Sequence, residues 1–173
     1  IPQKGEILNQ ISLFWFRRTE DIIDNHIIDE VSARSVLVKK CSLFPVEVIV
    51  RGYLTGSAWR DYEKGRSLSG ISLPAGMKKD QKFDTPLLTP STKAEQGLHD
   101  EPISREEILS RNLVEKKMWE EIEETALELF NRGSEIASEQ GLILVDTKYE
   151  FGVADGRLYV VDEIPTMDSS RYW

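Results

Sequence analysis

Residues 142–164 read Leu142-Ile143-Leu144-Val145-Asp146-Thr147-Lys148-Tyr149-Glu150-Phe151, then Gly152-Val153-Ala154, the pair Asp155-Gly156, and Arg157-Leu158-Tyr159-Val160-Val161-Asp162-Glu163-Ile164. Two runs rich in β-branched and aromatic residues flank an Asp-Gly turn, which is a strong local signal for a β-hairpin. Asp146, Lys148, Glu150, Asp162 and Glu163 place charge where strand residues would otherwise be core. Register decides which of them meet. A two-residue loop pairs Tyr149 with Asp162 and leaves Glu150 on the opposite face, because side chains alternate along a strand. A three-residue loop, Ala154-Asp155-Gly156 with Gly156 left-handed, pairs Lys148 with Asp162 and Glu150 with Val160. Glu150 and Asp162 then become diagonal neighbours. Adjacent carboxylates repel unless a proton or cation lies between them, and hard oxygen donors suit Mg²⁺ bridging to phosphates. The expectation is the three-residue loop with a shared metal site; the competing account is a solvated face of ion pairs.

Working outward, Ser104 and Glu107 form a capping box. Val114, Met118, Ile122, Ala126, Leu129, Gly133 and Ile136 then mark one face of a long helix ending at Gly141. Residues 64–104, interrupted by Pro74, Pro86, Pro90 and Pro102, read as a long loop, and long ordered loops tend to carry function. Before it, Val36–Lys40 and Val46–Arg51 read as strands, with residues 41–45 as a hinge. Leu8, Ile11, Phe14, Trp15, Arg18 and Ile22 follow a helical period, with a break near Asn25-His26.

Composition narrows the classes. The 173 residues suffice for one domain or two small lobes, and 40% hydrophobic with 30% charged residues is ordinary for a globular protein. With 22 Lys plus Arg against 30 Asp plus Glu, the net charge is −8, so no general basic surface exists for nucleic acid or anionic lipid. Any phosphate must be held locally. The single Cys41 cannot form an internal disulfide, and with no signal peptide or long apolar run a cytoplasmic location is expected.

The segment Arg51-Gly52-Tyr53-Leu54-Thr55-Gly56-Ser57 is a candidate anion pocket: a strand ends, glycines expose backbone N–H groups, and Ser57 is placed to cap a short helix starting at Ala58. Arg51 adds a bidentate donor. A glycine-containing strand-to-helix turn also occurs without any ligand. Thr89-Pro90-Ser91-Thr92-Lys93-Ala94-Glu95, the loop residues His99 and Asp100, and the terminal run Asp168-Ser169-Ser170-Arg171-Tyr172-Trp173 add further polar clusters.

Together with Pro45–Ser57, Leu142–Gly152 and Asp162-Glu163, these clusters resemble the phosphoribosylaminoimidazole-succinocarboxamide synthase (SAICAR synthetase) family in its order along nearly the whole chain. The resemblance implies an α+β, two-lobed nucleotide-binding fold similar to ATP-grasp enzymes and protein kinases. Residues 1–44 would be the remainder of an N-terminal nucleotide-binding lobe and hinge, and residues 45–173 a second lobe with the substrate and metal site. It implies an ATP-dependent ligase that joins L-aspartate to a phosphoribosyl aminoimidazole carboxylate, releasing ADP and phosphate, with ATP and Mg²⁺ as cofactors. The partners implied are these small molecules, with no nucleic acid or membrane, and a homo-oligomer is possible.

Carried over by position, Glu150 and Asp162 are the implied Mg²⁺ ligands, and Lys148 and Asp168 the implied catalytic groups. Arg51, Ser57 and Arg171 are implied to clamp the ribose phosphate, with Lys93, His99 and Asp100 nearby. Ser42, Leu43 and Glu47 are implied to contact the nucleotide. Family members also begin with strands carrying a glycine-rich cover for the ATP phosphates and end with further helices. The chain reads as lacking both, and so as the middle of something longer.

Overall fold

The computed structural model describes residues 2–93 and 100–173. In chain order they form α1 (Lys4–Thr19), β1 (Ile27–Ser32), β2 (Ser35–Val38), β3 (Ser42–Leu43), β4 (Val46–Tyr53), α2 (Gly56–Glu63), β5 (Lys82–Leu88), β6 (Ser91–Thr92), α3 (Arg105–Ser110), α4 (Lys116–Glu139), β7 (Leu144–Ala154), β8 (Arg157–Val161) and β9 (Ser170–Tyr172). The class is α+β. A seven-stranded sheet is built around β7, which pairs antiparallel with β3, β4, β8 and β9, while β1 and β2 form a separate two-stranded sheet.

Helix α4 presents Trp119, Ile122, Ala126, Leu129, Phe130, Gly133 and Ala137 at spacings of three and four residues, an apolar stripe wide enough to cover one sheet face. Against it pack Val46, Val48 and Val50 of β4, Tyr149 and Phe151 of β7, and Trp15 and Phe16 of α1. A smaller cluster of Leu54, Ala58, Leu68 and Phe83 seats α2.

Several sequence expectations are corrected. Helix α1 stops at Thr19, and Ile27–Ser32 extends into β1. The helix expected over 104–141 is two helices, because Asn112 takes a left-handed φ of 52° that ends α3, and Glu115 caps α4 by accepting from the Lys117 N–H. The capping box of Ser104 and Glu107 is present. The stretch 64–104 contains β5 in spite of Pro86; β5 is an edge strand, where a missing N–H is tolerated.

The hairpin loop has two residues, not three. Ala154 pairs with Arg157 and Glu150 with Val161, and Asp155 and Gly156 both have positive φ, 52° and 74°. That is the mirror-image turn whose twist matches a hairpin, and Asp-Gly is among its preferred sequences. The predicted pairing of Glu150 with Val160 is therefore wrong.

Candidate active site

Two neighbouring strands set the site. On β4, Val46, Val48 and Val50 face the core, so Glu47, Ile49 and Arg51 face the other way. On β7, Tyr149 is in the core, which puts Asp146, Lys148 and Glu150 on the face of Glu47 and Arg51. Register sets Lys148 opposite Ile49 and Asp146 opposite Arg51. On the far side of β7, β9 sets Arg171 opposite Asp146. A row Arg51–Asp146–Arg171 thus crosses three adjacent strands.

This face floors a cleft of about 320 Å³ whose lining includes Glu47, Arg51, Ser57, Thr89, Ser91 and Asp100. The size suits a small molecule. Arg51 is held on three sides: Nε donates to Thr89 Oγ1 at 2.8 Å, Nη2 to Ser57 Oγ at 3.1 Å, and Nη1 faces Asp146 Oδ2 at 3.4 Å. Arg171 Nη2 lies 3.5 Å from the same Asp146 oxygen. Two guanidiniums therefore share one carboxylate, which leaves a local positive excess. Burial pushes the Arg51 pKa down, with Asp146 opposing and Arg171 adding to the fall, while burial raises Asp146 against the pull of Arg171 and Arg51. An anion entering beside both arginines would relieve that imbalance.

Along the same face, Lys148 Nζ donates to Glu47 Oε1 at 2.8 Å and to Glu150 Oε1 at 3.0 Å, and Lys93 pairs with Glu150 Oε2. Burial would lower the Lys148 pKa, but its bonds to Glu47 and Glu150 outweigh this and hold it above the ordinary lysine value. Glu150 is the converse. Burial would raise its carboxyl, and the bonds from Lys93 and Lys148 keep it below the ordinary range.

Asp162 follows the last paired residue of β8 with a left-handed φ of 65°, so strand alternation no longer dictates its direction. Partial desolvation raises its carboxyl, and the Glu150 charge adds to the rise. The Glu150 charge thus reaches Asp162, but the two-residue loop does not make the acids the diagonal neighbours that the three-residue register would.

Among the described residues no group of three or more His, Cys, Asp or Glu is placed to hold a metal ion unaided. The donor set still fits Mg²⁺ that arrives with phosphate, since that ion commonly takes one or two carboxylates and completes its shell with phosphate and water. Glu150 is already paired with Lys93 and Lys148, so a metal ion reaching its carboxylate would have to bring phosphate charge with it and displace at least one amine.

The remaining expected residues divide. Asp100 lines the cleft with Glu47, Arg51 and Ser57, whereas Lys93, Lys148, Glu150, Asp162 and Arg171 lie outside its lining. Asp168 does not line it; its carboxylate is 2.8 Å from Lys4 Nζ, on an exposed pair. Ser42 and Leu43 are exposed on β3, opposite Val153 and Gly152, and lie outside the cleft lining. Glu47 lines the cleft and accepts a hydrogen bond from Lys148 Nζ. His99 lies outside the described residues. Ser57 is not the helix cap: Thr55 occupies that position, and the Ser57 hydroxyl serves Arg51.

The sequence places Asp146 and Thr89 among the polar clusters but gives neither a role. Asp146 was signalled by its spacing, since 146, 148 and 150 share one strand face and carry −, + and − charge. Thr89 gave no local signal, because its bond to Arg51 joins residues 38 positions apart.

Fold and site together define an α+β protein with a small-molecule cleft lined by Arg51 and Glu47, which are joined on the same sheet face to a second arginine through Asp146 and to a lysine–carboxylate row. A sequence model of the SAICAR synthetase family matches residues 1–173, and the chain belongs to that family. The phosphoribosylaminoimidazole-succinocarboxamide synthase of Azobacteroides pseudotrichonymphae is 53% identical over 174 residues, covering 100% of this chain and 54% of that protein. The chain thus spans about half the length of the curated relatives it matches. Among solved structures, a SAICAR synthase of Saccharomyces cerevisiae in complex with SAICAR superposes with a TM-score of 0.89 at 37% identity, over 100% of this chain and 63% of that one. A SAICAR synthetase in complex with ADP superposes with a TM-score of 0.85 at 27% identity, over 100% of this chain and 68% of that one.

Proposed function

We propose that this chain carries the substrate- and metal-binding part of an ATP-dependent ligase that joins L-aspartate to 5-amino-1-(5-phosphoribosyl)imidazole-4-carboxylate. The carboxylate oxygen takes the γ-phosphoryl group of ATP, releasing ADP. The aspartate amine then attacks the activated carbonyl carbon, expels phosphate and forms the amide. A carboxylate needs such activation because its oxygen is otherwise a poor leaving group.

The carrying observation is the single strand face on which Arg51–Asp146–Arg171 and Glu47–Lys148–Glu150 lie side by side. Family membership and the names of the relatives support the reaction class. Arg51, Ser57 and Arg171 would hold the ribose phosphate, and Asp100, Lys93 and His99 would lie along the substrate. Lys148, kept charged by Glu47 and Glu150, would face the transferred phosphoryl group, where a cation offsets developing negative charge. Glu150 and Asp162 would hold Mg²⁺, which supplies charge neutralisation among the phosphates when bound. Ser42, Leu43 and Glu47 belong to the proposal as nucleotide contacts, and Asp168 as a substrate-facing group that would have to leave Lys4.

The division near residue 44 is likewise proposed. The separate β1–β2 sheet supports it, while α1 shares the core of α4. No described helix is long and apolar enough to cross a membrane, and a cytoplasmic location is part of the same reading. The test is ADP release by the protein expressed from its complete gene. Release should require ATP, Mg²⁺ and the imidazole carboxylate together with aspartate; release indifferent to aspartate would contradict the ligase reading.

A further inference from the structure

Gly56 opens α2 with φ of +58°. A Cβ added there would fall 2.4 Å from Arg171 Nη1, 2.7 Å from Nη2 and 2.9 Å from Cζ. The Arg171 guanidinium thus lies directly over the bare Cα of Gly56. Gly65, Gly76, Gly141 and Gly156 also have positive φ, yet an added Cβ at any of them meets nothing within 4 Å. Backbone conformation alone therefore accounts for those glycines and not for the contact at Gly56.

Arg171 needs such a support. Its side chain is 42% exposed and its ion pair with Asp146 is long, 3.5 Å, so electrostatics fixes the fork only loosely. The hydroxyl of Ser57, the next residue, accepts from Arg51 Nη2 at 3.1 Å. One turn of backbone therefore meets both arginines: Gly56 beneath one and Ser57 against the other.

We infer that Gly56 is a positioning residue whose absent side chain forms the seat that aims Arg171, beside Arg51 and Ser57, at the phosphate of the substrate. This rests on the phosphate-clamp reading above. Any side chain at position 56 displaces the guanidinium, although nothing at that position need touch the substrate.

The test is a cycle of Gly56→Ala, Arg171→Ala and the double variant, with KM measured for the imidazole ribonucleotide and for ATP alongside Tm. Gly56→Asn joins the set, because asparagine tolerates the left-handed region while still carrying a Cβ. Both position-56 variants should raise KM for the imidazole ribonucleotide about tenfold, the scale of one weakened charged hydrogen bond, and leave KM for ATP nearly unchanged. Gly56→Asn should lose less Tm than Gly56→Ala. With Arg171 already removed, the change at position 56 should raise KM no further, though Tm should still fall. A rise that multiplies in the Arg171→Ala background, or unaltered KM in both position-56 variants, overturns the seat while leaving the clamp. Unaltered KM in Arg171→Ala overturns the clamp and the seat together. Failure of both position-56 variants to fold would assign Gly56 to folding and overturn the proposal.

Discussion

Arg51 and Arg171 share one carboxylate oxygen, Asp146 Oδ2, at 3.4 and 3.5 Å. The pairing follows from strand register, which aligns the three residues across β4, β7 and β9. Asp146 and Arg51 are buried, so removing the carboxylate leaves the Arg51 charge unpaired beside a second, partly exposed guanidinium. Asp146→Asn should cost about 3–5 kcal/mol, the usual scale for breaking a buried pair. Inorganic phosphate should restore part of this and shift the denaturation midpoint of the variant more than that of wild type. Equal shifts in both proteins would show that phosphate does not bind between the arginines.

Arg51 is bonded to Thr89, Ser57 and Asp146, and its truncation should be felt by one substrate only. Losing a charged partner of a bound phosphate costs about 1.5–3 kcal/mol, so Arg51→Ala should raise KM for the imidazole ribonucleotide by one to two decades. KM for ATP should change far less. An equal loss for ATP would reassign the pocket to the nucleotide.

Glu150 provides the pH dependence. Its folded carboxyl titrates below the ordinary glutamate value of 4.5, because the bonds from Lys93 and Lys148 outweigh burial. The stabilisation is therefore fully present above pH 4.5 and is lost as pH falls through the lower folded value. Denaturant titrations in acid should show a shallower decline for Glu150→Gln than for wild type in this window, and turnover of the variant should fall sharply at neutral pH. Parallel acid declines would mean that Glu150 gains nothing from its lysines.

The Asp155-Gly156 turn predicts an effect on stability alone. Gly156 has φ of 74° and open space around its Cα, so Gly156→Ala meets strain without a clash. The cost should be about 1–2 kcal/mol in urea denaturation, with both KM values unchanged. A variant as stable as wild type would contradict the two-residue turn.

Much of this architecture was legible in local chemistry. Asp-Gly announced the hairpin, Ser104 and Glu107 announced α3, and the β-branched run 46–51 announced β4. What escaped was either a choice between nearby geometries or a long-range bond. Strand alternation alone favours a three-residue loop, because only that register puts Glu150 and Asp162 on one face. In fact Asp162 leaves strand geometry through a positive φ, which an aspartate side chain does not announce. The break between α3 and α4 turns on Asn112 in the same way. Thr89 and Asp146 acquire their importance only when β4 is laid between β5 and β7.

The central claim is that the cleft activates a carboxylate by phosphorylation, and isotope transfer tests it most directly. The imidazole substrate is labelled with ¹⁸O in its carboxylate and turned over with ATP, Mg²⁺ and aspartate by the protein expressed from its complete gene. The account predicts that one labelled oxygen appears in the phosphate released with each amide formed. Phosphate free of label, with amide still produced, would contradict it.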